Sequence, residues 1–330
     1  MAKTKKTKQM VMVGVWANRN WILGNWIREV KLRLPNNFRL WWVPSIYAGK
    51  RPIEKFLKFP IPTADAYFFS YPTLFKHYEQ KNSAKFKNNS IVLYPHNEPE
   101  MGSIDEQVML LNKAFKVHFY CKADAENLIK NGLNLDKITI ANCAIDIDCE
   151  LDYKVKRDSN TIVLASKYGP RKGANLLPKI IQKLPSWNFI VMGRGWEGFI
   201  RDNELRNLPN FRYVKFNKVN RSKYFSEARI FLSLSNLEGG PVPLIESMSL
   251  GVIPICTETG FASEFISDGA NGFLLPVNPD PDFIVSKINC VDTITNDPSD
   301  AVKHLTWDRI TRLTNSDLNK IVNLNIKSKT

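Results

Sequence analysis

The sequence predicts an α/β fold made of two doubly wound domains. Short apolar runs alternate with amphipathic stretches along all 330 residues, and the pattern occurs as two successive sets. Continuous apolar runs separated by helices are typical of parallel strands that are covered on both faces. Two such sets in a chain of this length indicate two domains, each an open parallel sheet with helices on both sides.

The first set predicts a domain over residues 1–148. Its strands are expected at Met10–Val15, Phe38–Val43, Ala66–Ser70, Ile91–Tyr94, Val117–Cys121 and Ile138–Ala141. Amphipathic stretches such as Asp105–Phe115 and Lys122–Asn131 predict helices between them.

The second set predicts a domain over residues 149–295, after the polar stretch Cys149–Asn160. Its strands are expected at Thr161–Ala165, Asn188–Met192, Phe211–Phe216, Ile230–Leu234, Val252–Cys256 and Phe273–Leu275. Residues 296–330 begin with a break at Asn296-Asp297-Pro298. They continue as an amphipathic helix over 301–325, which we expect to pack on the first domain.

The composition excludes several classes of protein. Apolar residues make up 44% and charged residues 24%, which is ordinary globular usage and not that of a disordered, collagen-like or coiled-coil chain. No run approaches the ~18 apolar residues of a membrane span. The short run Met10–Trp16 indicates a buried strand rather than a secretory signal. The five cysteines have no CxxC spacing, which favours reduced thiols in a cytoplasmic protein.

The net charge of +14 is concentrated at one end of the chain. Residues 1–90 contain 17 Lys or Arg and 4 Asp or Glu. Within residues 46–60, apolar side chains alternate with cations, which favours contact with an anionic membrane surface or an acidic acceptor. A solvated loop is the alternative, and nucleic acid is disfavoured because no zinc-finger or RNP-like motif is present. The residues assigned to this surface are Lys50, Arg51, Lys55, Phe56 and Lys58.

The most informative segment is residues 230–276. A predicted strand ends at Ser235, and Glu238 and the turn Gly239-Gly240-Pro241 follow before a helix that begins near Pro243. The unpaired N–H groups of a helix start, preceded by glycines, form a site suited to a diphosphate. Glu238 and Glu246 would repel phosphate, but ionised carboxylates accept hydrogen bonds from sugar hydroxyls. The segment therefore favours a nucleotide sugar; two acids at a helix start without a ligand are the alternative.

This segment closely resembles the retaining glycosyltransferases of family 4, which have the GT-B fold with two domains facing across a cleft. The resemblance covers Glu238-Gly-Gly-Pro-x-Pro-Leu-Ile-Glu246, followed by Met248, Gly251, Pro254 and Asp268-Gly269-x-Asn271-Gly272. It implies that Glu238 binds donor-sugar hydroxyls, that Glu246 binds ribose, and that the backbone at Gly239, Gly240 and Pro241 contacts the donor.

Further positions follow from the same resemblance. Lys172 corresponds to the phosphate-binding lysine of the family, and Lys167 stands where the family has an arginine. Arg171 lies in the same basic loop, for which a solvated surface is the alternative. His96 corresponds to a family histidine near the donor sugar, although a histidine after a strand is often structural. Glu238, Lys172 and His96 are thus the predicted catalytic residues.

Two motifs invite other assignments. Gly193-x-Gly195-x-x-Gly198 matches the dinucleotide fingerprint, but the acid expected about 20 residues later is absent. The resemblance places Gly193 and Gly195 beside the nucleotide base. Asp146-Ile147-Asp148 mimics a metal-binding Asp-x-Asp, yet lysines and a helix end already supply positive charge. We therefore expect neither a metal nor another cofactor.

The resemblance implies a metal-independent retaining enzyme that moves a hexose-type sugar from a nucleotide-diphosphate sugar to a glycan or lipid-linked acceptor. Such a reaction belongs to polysaccharide or glycoconjugate synthesis, and the enzyme is expected in the cytoplasm, peripherally on a membrane. A non-catalytic nucleotide-sugar or glycan-binding protein and a nucleotide-sugar epimerase on the same scaffold remain alternatives.

Overall fold

The chain forms two compact units. The computed structural model describes residues 8–15, 22–35, 38–45, 61–97, 99–146, 159–217 and 221–327. Unit 1 consists of residues 1–143 and 306–330, and unit 2 consists of residues 144–305. The chain therefore leaves unit 1 after Cys143 and returns to it at Thr306.

In unit 1, the described residues form a parallel sheet in the order β2-β1-β3-β4-β5-β6. The strands are β1 (Lys8–Val15), β2 (Phe38–Ser45), β3 (Ala66–Phe69), β4 (Ser90–Tyr94), β5 (Lys116–Phe119) and β6 (Ile138–Ile140). The helices are α1 (Ile22–Arg33), α2 (Pro72–Lys81), α3 (Ser83–Phe86), α4 (Ile104–Leu111), α5 (Lys122–Lys130) and, from the end of the chain, α13 (Trp307–Lys327).

Strand β3 shows why an uninterrupted apolar run becomes a central strand. All four of its residues are buried, and successive side chains point to opposite faces. On one face, the rings of Tyr67 and Phe69 pack against Phe86 at 4.9 and 5.6 Å between centroids. On the other, Phe68 stacks on Trp26 of α1 at 6.4 Å. The run thus fills two apolar layers at once.

Helix α13 is fixed to unit 1 by polar contacts. The buried His118 of β5 lies 3.0 Å from Asp317, measured from Nε2 to Oδ2, and Thr139 donates to the same oxygen at 3.0 Å. The Arg309 side chain donates to the main-chain oxygen of Ala141 at 2.6 Å. These bonds satisfy groups that burial under the helix removes from water.

In unit 2, the described residues form a second parallel sheet in the order β12-β11-β10-β7-β8-β9. Its strands are β7 (Thr161–Ala165), β8 (Asn188–Gly193), β9 (Phe211–Lys215), β10 (Ile230–Ser233), β11 (Ile253–Thr257) and β12 (Phe273–Leu275). The helices are α6 (Leu177–Lys183), α7 (Glu197–Asp202), α8 (Arg221–Glu227), α9 (Val242–Ser249), α10 (Ala262–Phe265), α11 (Pro281–Asn289) and α12 (Ser299–Val302).

The strand order of unit 2 reverses between β7 and β10. The chain first runs outward from β7 through β8 to β9, and it then places β10 on the other side of β7. Ligands of open parallel sheets bind outside the carboxyl ends of the strands at such a switch point. The loops that follow β7 and β10 are therefore the first place to look for a site in this unit.

The predicted fold class of two doubly wound α/β units is confirmed, because each of the twelve predicted strands overlaps a strand of the structure. The helix expected over 301–325 is divided into α12 and α13. Leu305 is buried between them, and the Thr306 hydroxyl accepts a hydrogen bond from the Arg309 N–H at 3.2 Å, which starts a new helix. The described helices include none with the length and hydrophobicity needed to cross a bilayer.

Candidate functional site

The loops after β7 and β10 meet at the switch point of unit 2. The Asn236 N–H, beyond β10, donates to the main-chain oxygen of Arg171, beyond β7, at 2.7 Å. Gly173 has a φ of +65°, and a Cβ there would lie 2.3 Å from the main-chain oxygen of Leu234. Only glycine allows the two main chains to come this close, so the basic loop after β7 packs directly against the residues that follow β10.

This contact brings together the two predicted catalytic residues of unit 2. The Lys172 ammonium forms an ion pair with the Glu238 carboxylate, and both side chains are largely buried. The two residues are 66 positions apart in the chain. A cation and an acceptor of hydroxyl hydrogen bonds therefore share one place at the carboxyl edge of the sheet.

The turn Gly239-Gly240-Pro241 leads from Glu238 into α9. The Phe261 N–H, beyond β11, donates to the oxygen of Gly239 at 3.1 Å. Gly260 has a φ of +57°, and a Cβ there would lie 2.4 Å from that oxygen. The loop after β11 thus packs against the turn and fixes its backbone.

Helix α9 starts at Val242, one residue before the predicted start, and Gly251 follows its end with a φ of +82°. No side chain among the described residues caps its amino end. The positive end of the helix dipole therefore lies beside the turn that carries Gly239 and Gly240.

Strand β8 neighbours β7 on the side opposite to β10, and the loop after β8 follows it there. Gly193 ends the strand, and a Cβ there would lie 1.8 Å from the main-chain oxygen of Ser166. The Trp196 indole N–H donates to that same oxygen at 2.8 Å, and Gly195 has a φ of +80°. Lys167 follows Ser166 and is exposed, as is Arg171 farther along the same loop. The glycine loop and the basic loop are therefore in direct contact.

Glu246 occupies a different environment from Glu238. Its relative exposure is 1%, and its Oε1 lies 3.0 Å from an amino nitrogen of Arg221 at the start of α8. The same nitrogen donates to the main-chain oxygen of Asp146 and lies 3.6 Å from its carboxylate. Sequence reasoning missed Arg221, because a single arginine at a helix start carries no local signal. It considered Asp146 as part of a motif that mimics a metal site, and it did not connect Asp146 with Glu246; Ile147 and Asp148 of that motif lie outside the described residues.

His96 lies in unit 1, two residues beyond the end of β4. The neighbouring Asn97 side-chain oxygen accepts from Gln107 Nε2 at 2.9 Å, and the Gln107 oxygen accepts from the Tyr94 hydroxyl at 2.7 Å. Burial raises the pKa of Asp124, although the Cys121 thiol donates to it at 3.2 Å and the nearby His96 opposes the shift. His96 therefore sits in a loop that buried polar groups hold in place.

A buried thiol also lies near Glu238. Burial and the Glu238 charge raise the pKa of Cys256 far above its usual range. The thiol therefore stays protonated at neutral pH and is a poor nucleophile.

Within the ranges that the structure describes, no three His, Cys, Asp or Glu side chains are grouped so as to hold a metal ion. The predicted surface segment of Lys50, Arg51, Lys55, Phe56 and Lys58 lies outside the described residues.

Known proteins resemble this chain in both sequence and fold. Residues 152–301 match the family model described as glycosyl transferases group 1. The phosphatidyl-myo-inositol mannosyltransferase of Mycobacterium tuberculosis is 24% identical over 160 residues, which cover 46% of this chain and 40% of that protein. Across its curated relatives, the chain spans only 28% to 40% of each protein's length.

Two solved structures share the fold over nearly the whole chain. Sucrose-phosphate synthase from Thermosynechococcus elongatus superposes with a TM-score of 0.75 at 12% identity, covering 96% of this chain and 100% of that one. Anabaena Alr3699/HepE in complex with UDP superposes with a TM-score of 0.67 at 12% identity, covering 97% and 99%. The predicted family resemblance and the predicted GT-B fold class are both confirmed.

Proposed function

Because residues 152–301 match the family model of glycosyl transferases group 1, we propose that this protein transfers a hexose-type sugar from a nucleotide-diphosphate sugar to a glycan or lipid-linked acceptor. The observation that carries the proposal is the meeting of Lys172 and Glu238 at the switch point, beside the amino end of α9. Unit 2 binds the donor in this proposal, and unit 1 binds the acceptor.

The diphosphate is assigned to the turn at Gly239 and Gly240. Backbone N–H groups there and the positive end of the α9 dipole attract an anion, and the glycines allow it to approach closely. Lys172 adds a full positive charge, while the exposed Lys167 and Arg171 raise the local concentration of anions. The base of the nucleotide is assigned to the loop with Gly193 and Gly195.

The ion pair between Lys172 and Glu238 has a function in donor binding. When a diphosphate arrives, Lys172 gains a second anionic partner, and Glu238 becomes available to sugar hydroxyls. The carboxylate accepts these hydrogen bonds in a site that is largely buried, where they are stronger than in water. Glu246 accepts from the ribose hydroxyls in the same way.

The reaction proposed is a displacement on the same face of the sugar, with retention of configuration. The bond from the anomeric carbon to the departing phosphate oxygen breaks, and a bond to the acceptor oxygen forms. The departing phosphate takes the acceptor proton, so no separate protein base is required. Lys172 stabilises the charge that develops on the phosphate, and the family resemblance assigns His96 to the donor sugar. No metal or other cofactor takes part in this proposal.

The acceptor side rests on the charge of the first 90 residues. We assign residues 46–60 to an anionic membrane surface that carries a lipid-linked acceptor, which would place the protein peripherally on the inner face of a membrane. Sedimentation with anionic vesicles tests this: a variant with Lys50, Arg51, Lys55 and Lys58 neutralised should partition less than the wild type. Equal partitioning would discard the segment.

The function itself is tested by donor profiling. The full chain is incubated with UDP-, GDP- and ADP-sugars and with soluble glycans or phosphatidylinositol-containing vesicles, and released nucleoside diphosphate is measured. Release with at least one donor, together with a glycoside of unchanged anomeric configuration by NMR, is expected. Tight donor binding without release would instead indicate a non-catalytic binder, and an epimerised donor without a glycoside would indicate an epimerase.

A further inference from the structure

One guanidinium in unit 2 holds the carboxylate that is assigned to the ribose. Arg221 lies at the first residue of α8, and an amino nitrogen of its side chain is 3.0 Å from Glu246 Oε1. The same nitrogen donates to the main-chain oxygen of Asp146. Arg221 is 8% exposed and Glu246 is 1% exposed, so the contact is shielded from water.

Burial makes this pair consequential. A carboxylate removed from water needs a counter-charge and fixed hydrogen-bond donors, and breaking a buried pair by removing one partner is strongly unfavourable. The contact is an ion pair at 3.0 Å, and the hydrogen bond of the same amino nitrogen goes to the main-chain oxygen of Asp146, which fixes the guanidinium beside the carboxylate. Arg221 therefore balances the buried charge of Glu246 and attracts Oε1 to its own side.

The position of Glu246 gives this orientation a function. The residue lies in the second turn of α9, whose amino end we assign to the diphosphate. A hydrogen-bond acceptor in the second turn of α9 is suited to the ribose next to the diphosphate. It can act in this way only if one carboxylate oxygen faces the ligand. Because Oε1 lies against Arg221, the second oxygen of the carboxylate is the one that we assign to the ribose.

We infer that Arg221 is a positioning residue for ribose recognition, so that the site selects ribonucleoside over dideoxyribonucleoside diphosphates. The inference rests on the proposed function, in which Glu246 accepts from ribose hydroxyls. It predicts that loss of Arg221 removes this selectivity more than it removes nucleotide binding.

The contact with Asp146 extends the role of Arg221 to the point where the chain enters unit 2. Asp146 lies three residues beyond Cys143, the last residue of unit 1 before the crossing. The adjacent Ile145 N–H donates to the main-chain oxygen of Leu305, the last residue before the chain leaves unit 2, at 2.9 Å. Arg221 thus links α9 to the main chain at Asp146, next to the hydrogen bond between Ile145 and Leu305.

The test is calorimetric titration of the full chain with UDP and with 2′,3′-dideoxy-UDP, repeated with the ADP and GDP pairs. Wild type should prefer the ribose form of the best nucleotide by at least tenfold. In Arg221→Met, the Kd of the ribose form should rise about tenfold, while the Kd of the dideoxy form changes less than twofold. Arg221→Lys keeps the charge but loses the planar donors, so it should recover only part of the preference.

The matched control is Arg229→Met. Arg229 is a partly buried arginine of the same unit, whose side chain pairs with Asp292 and not with Glu246. It should keep the wild-type preference. Thermal unfolding is followed for each variant, and if Arg221→Met does not fold, Arg221→Lys decides.

Two results would overturn the inference. One is a ribose preference that is unchanged in the Arg221 variants, which includes an equal weakening of both nucleotide forms, and the other is a wild type that binds both forms equally. The proposed function has a separate test: a wild type that binds no nucleoside diphosphate removes both proposals. If the wild type releases nucleoside diphosphate and Arg221→Met keeps the ribose preference of the wild type, only the inference about Arg221 is removed.

Discussion

Replacement of Lys172 by alanine tests whether this residue stabilises the departing phosphate in the proposed reaction. The ammonium is largely buried and lies against Glu238 at the switch point of unit 2. In the proposed reaction, it forms a charge-assisted hydrogen bond to the phosphate oxygen on which negative charge develops. Bonds of this kind contribute about 1.5–3 kcal/mol. Since each ~1.4 kcal/mol corresponds to a factor of ten in rate, kcat should fall about 10- to 150-fold.

The assay is the initial rate of nucleoside diphosphate release at saturating donor. Lys172→Arg keeps the charge and should recover part of the rate. Lys183→Ala is the control, because Lys183 belongs to the same unit but pairs with Asp282 on the exposed surface. A fall in kcat that Lys183→Ala does not share supports the role of Lys172. An unchanged kcat in Lys172→Ala, with normal folding, would refute the reasoning.

The other predictions concern Glu238, the backbone, the acid stability and the thiols. Glu238→Gln should raise the KM for the donor sugar, and a double variant with Lys172→Ala should be less impaired than the product of the two single effects, because the residues are in contact; simple multiplication of the effects would contradict this. Gly173→Ala should destabilise the protein by at least ~1–2 kcal/mol, because Gly173 has a left-handed φ and a Cβ there would meet the Leu234 oxygen. The melting temperature should fall by several degrees. Gly198→Ala is the control and should not lower it, because a Cβ at Gly198 meets open space. The pKa of Asp317 lies below its usual range, because hydrogen bonds from His118, Lys320 and Thr139 outweigh the opposing effect of burial. This carboxylate therefore stabilises the fold above about pH 4, and the stabilisation is lost as the pH falls further. Asp317→Asn should reduce the fall of the melting temperature at acid pH, and Asp300→Asn, at an exposed position, should not. Under native conditions, iodoacetamide should modify the exposed Cys290 and spare the buried Cys121, Cys143 and Cys256; equal labelling would contradict the described burial.

The strands were predictable because their signal is local. A run such as Ile91–Tyr94 is apolar at every position, and a strand covered on both faces requires that pattern. The turn Gly239-Gly240-Pro241 and the start of α9 were also accessible, since proline and glycine restrict the backbone where they stand. The end of the chain was harder. The amphipathic pattern continues through the break between α12 and α13, which depends on the burial of Leu305 and the cap from Thr306.

The partnerships within the site were not predictable from local pattern. Lys172 meets Glu238 only because β10 lies beside β7, and strand order is a property of the whole sheet. Arg221 carries no motif, and its contact with Glu246 depends on how α8 and α9 pack. The sequence resemblance implied a ribose-binding role for Glu246, while the structure adds the buried cation beside it. Local chemistry thus identified the candidate groups, and tertiary packing determined their partners.

The central claim is that a diphosphate binds between Lys172 and the turn at Gly239 and Gly240. A crystal structure of the full chain soaked with UDP, or with the nucleoside diphosphate that binds most tightly, tests it most directly. We expect the β-phosphate within hydrogen-bonding distance of Lys172 Nζ and of a backbone N–H at the amino end of α9, with the ribose beside Glu246. A nucleotide bound elsewhere in unit 2, or in unit 1, would contradict the claim.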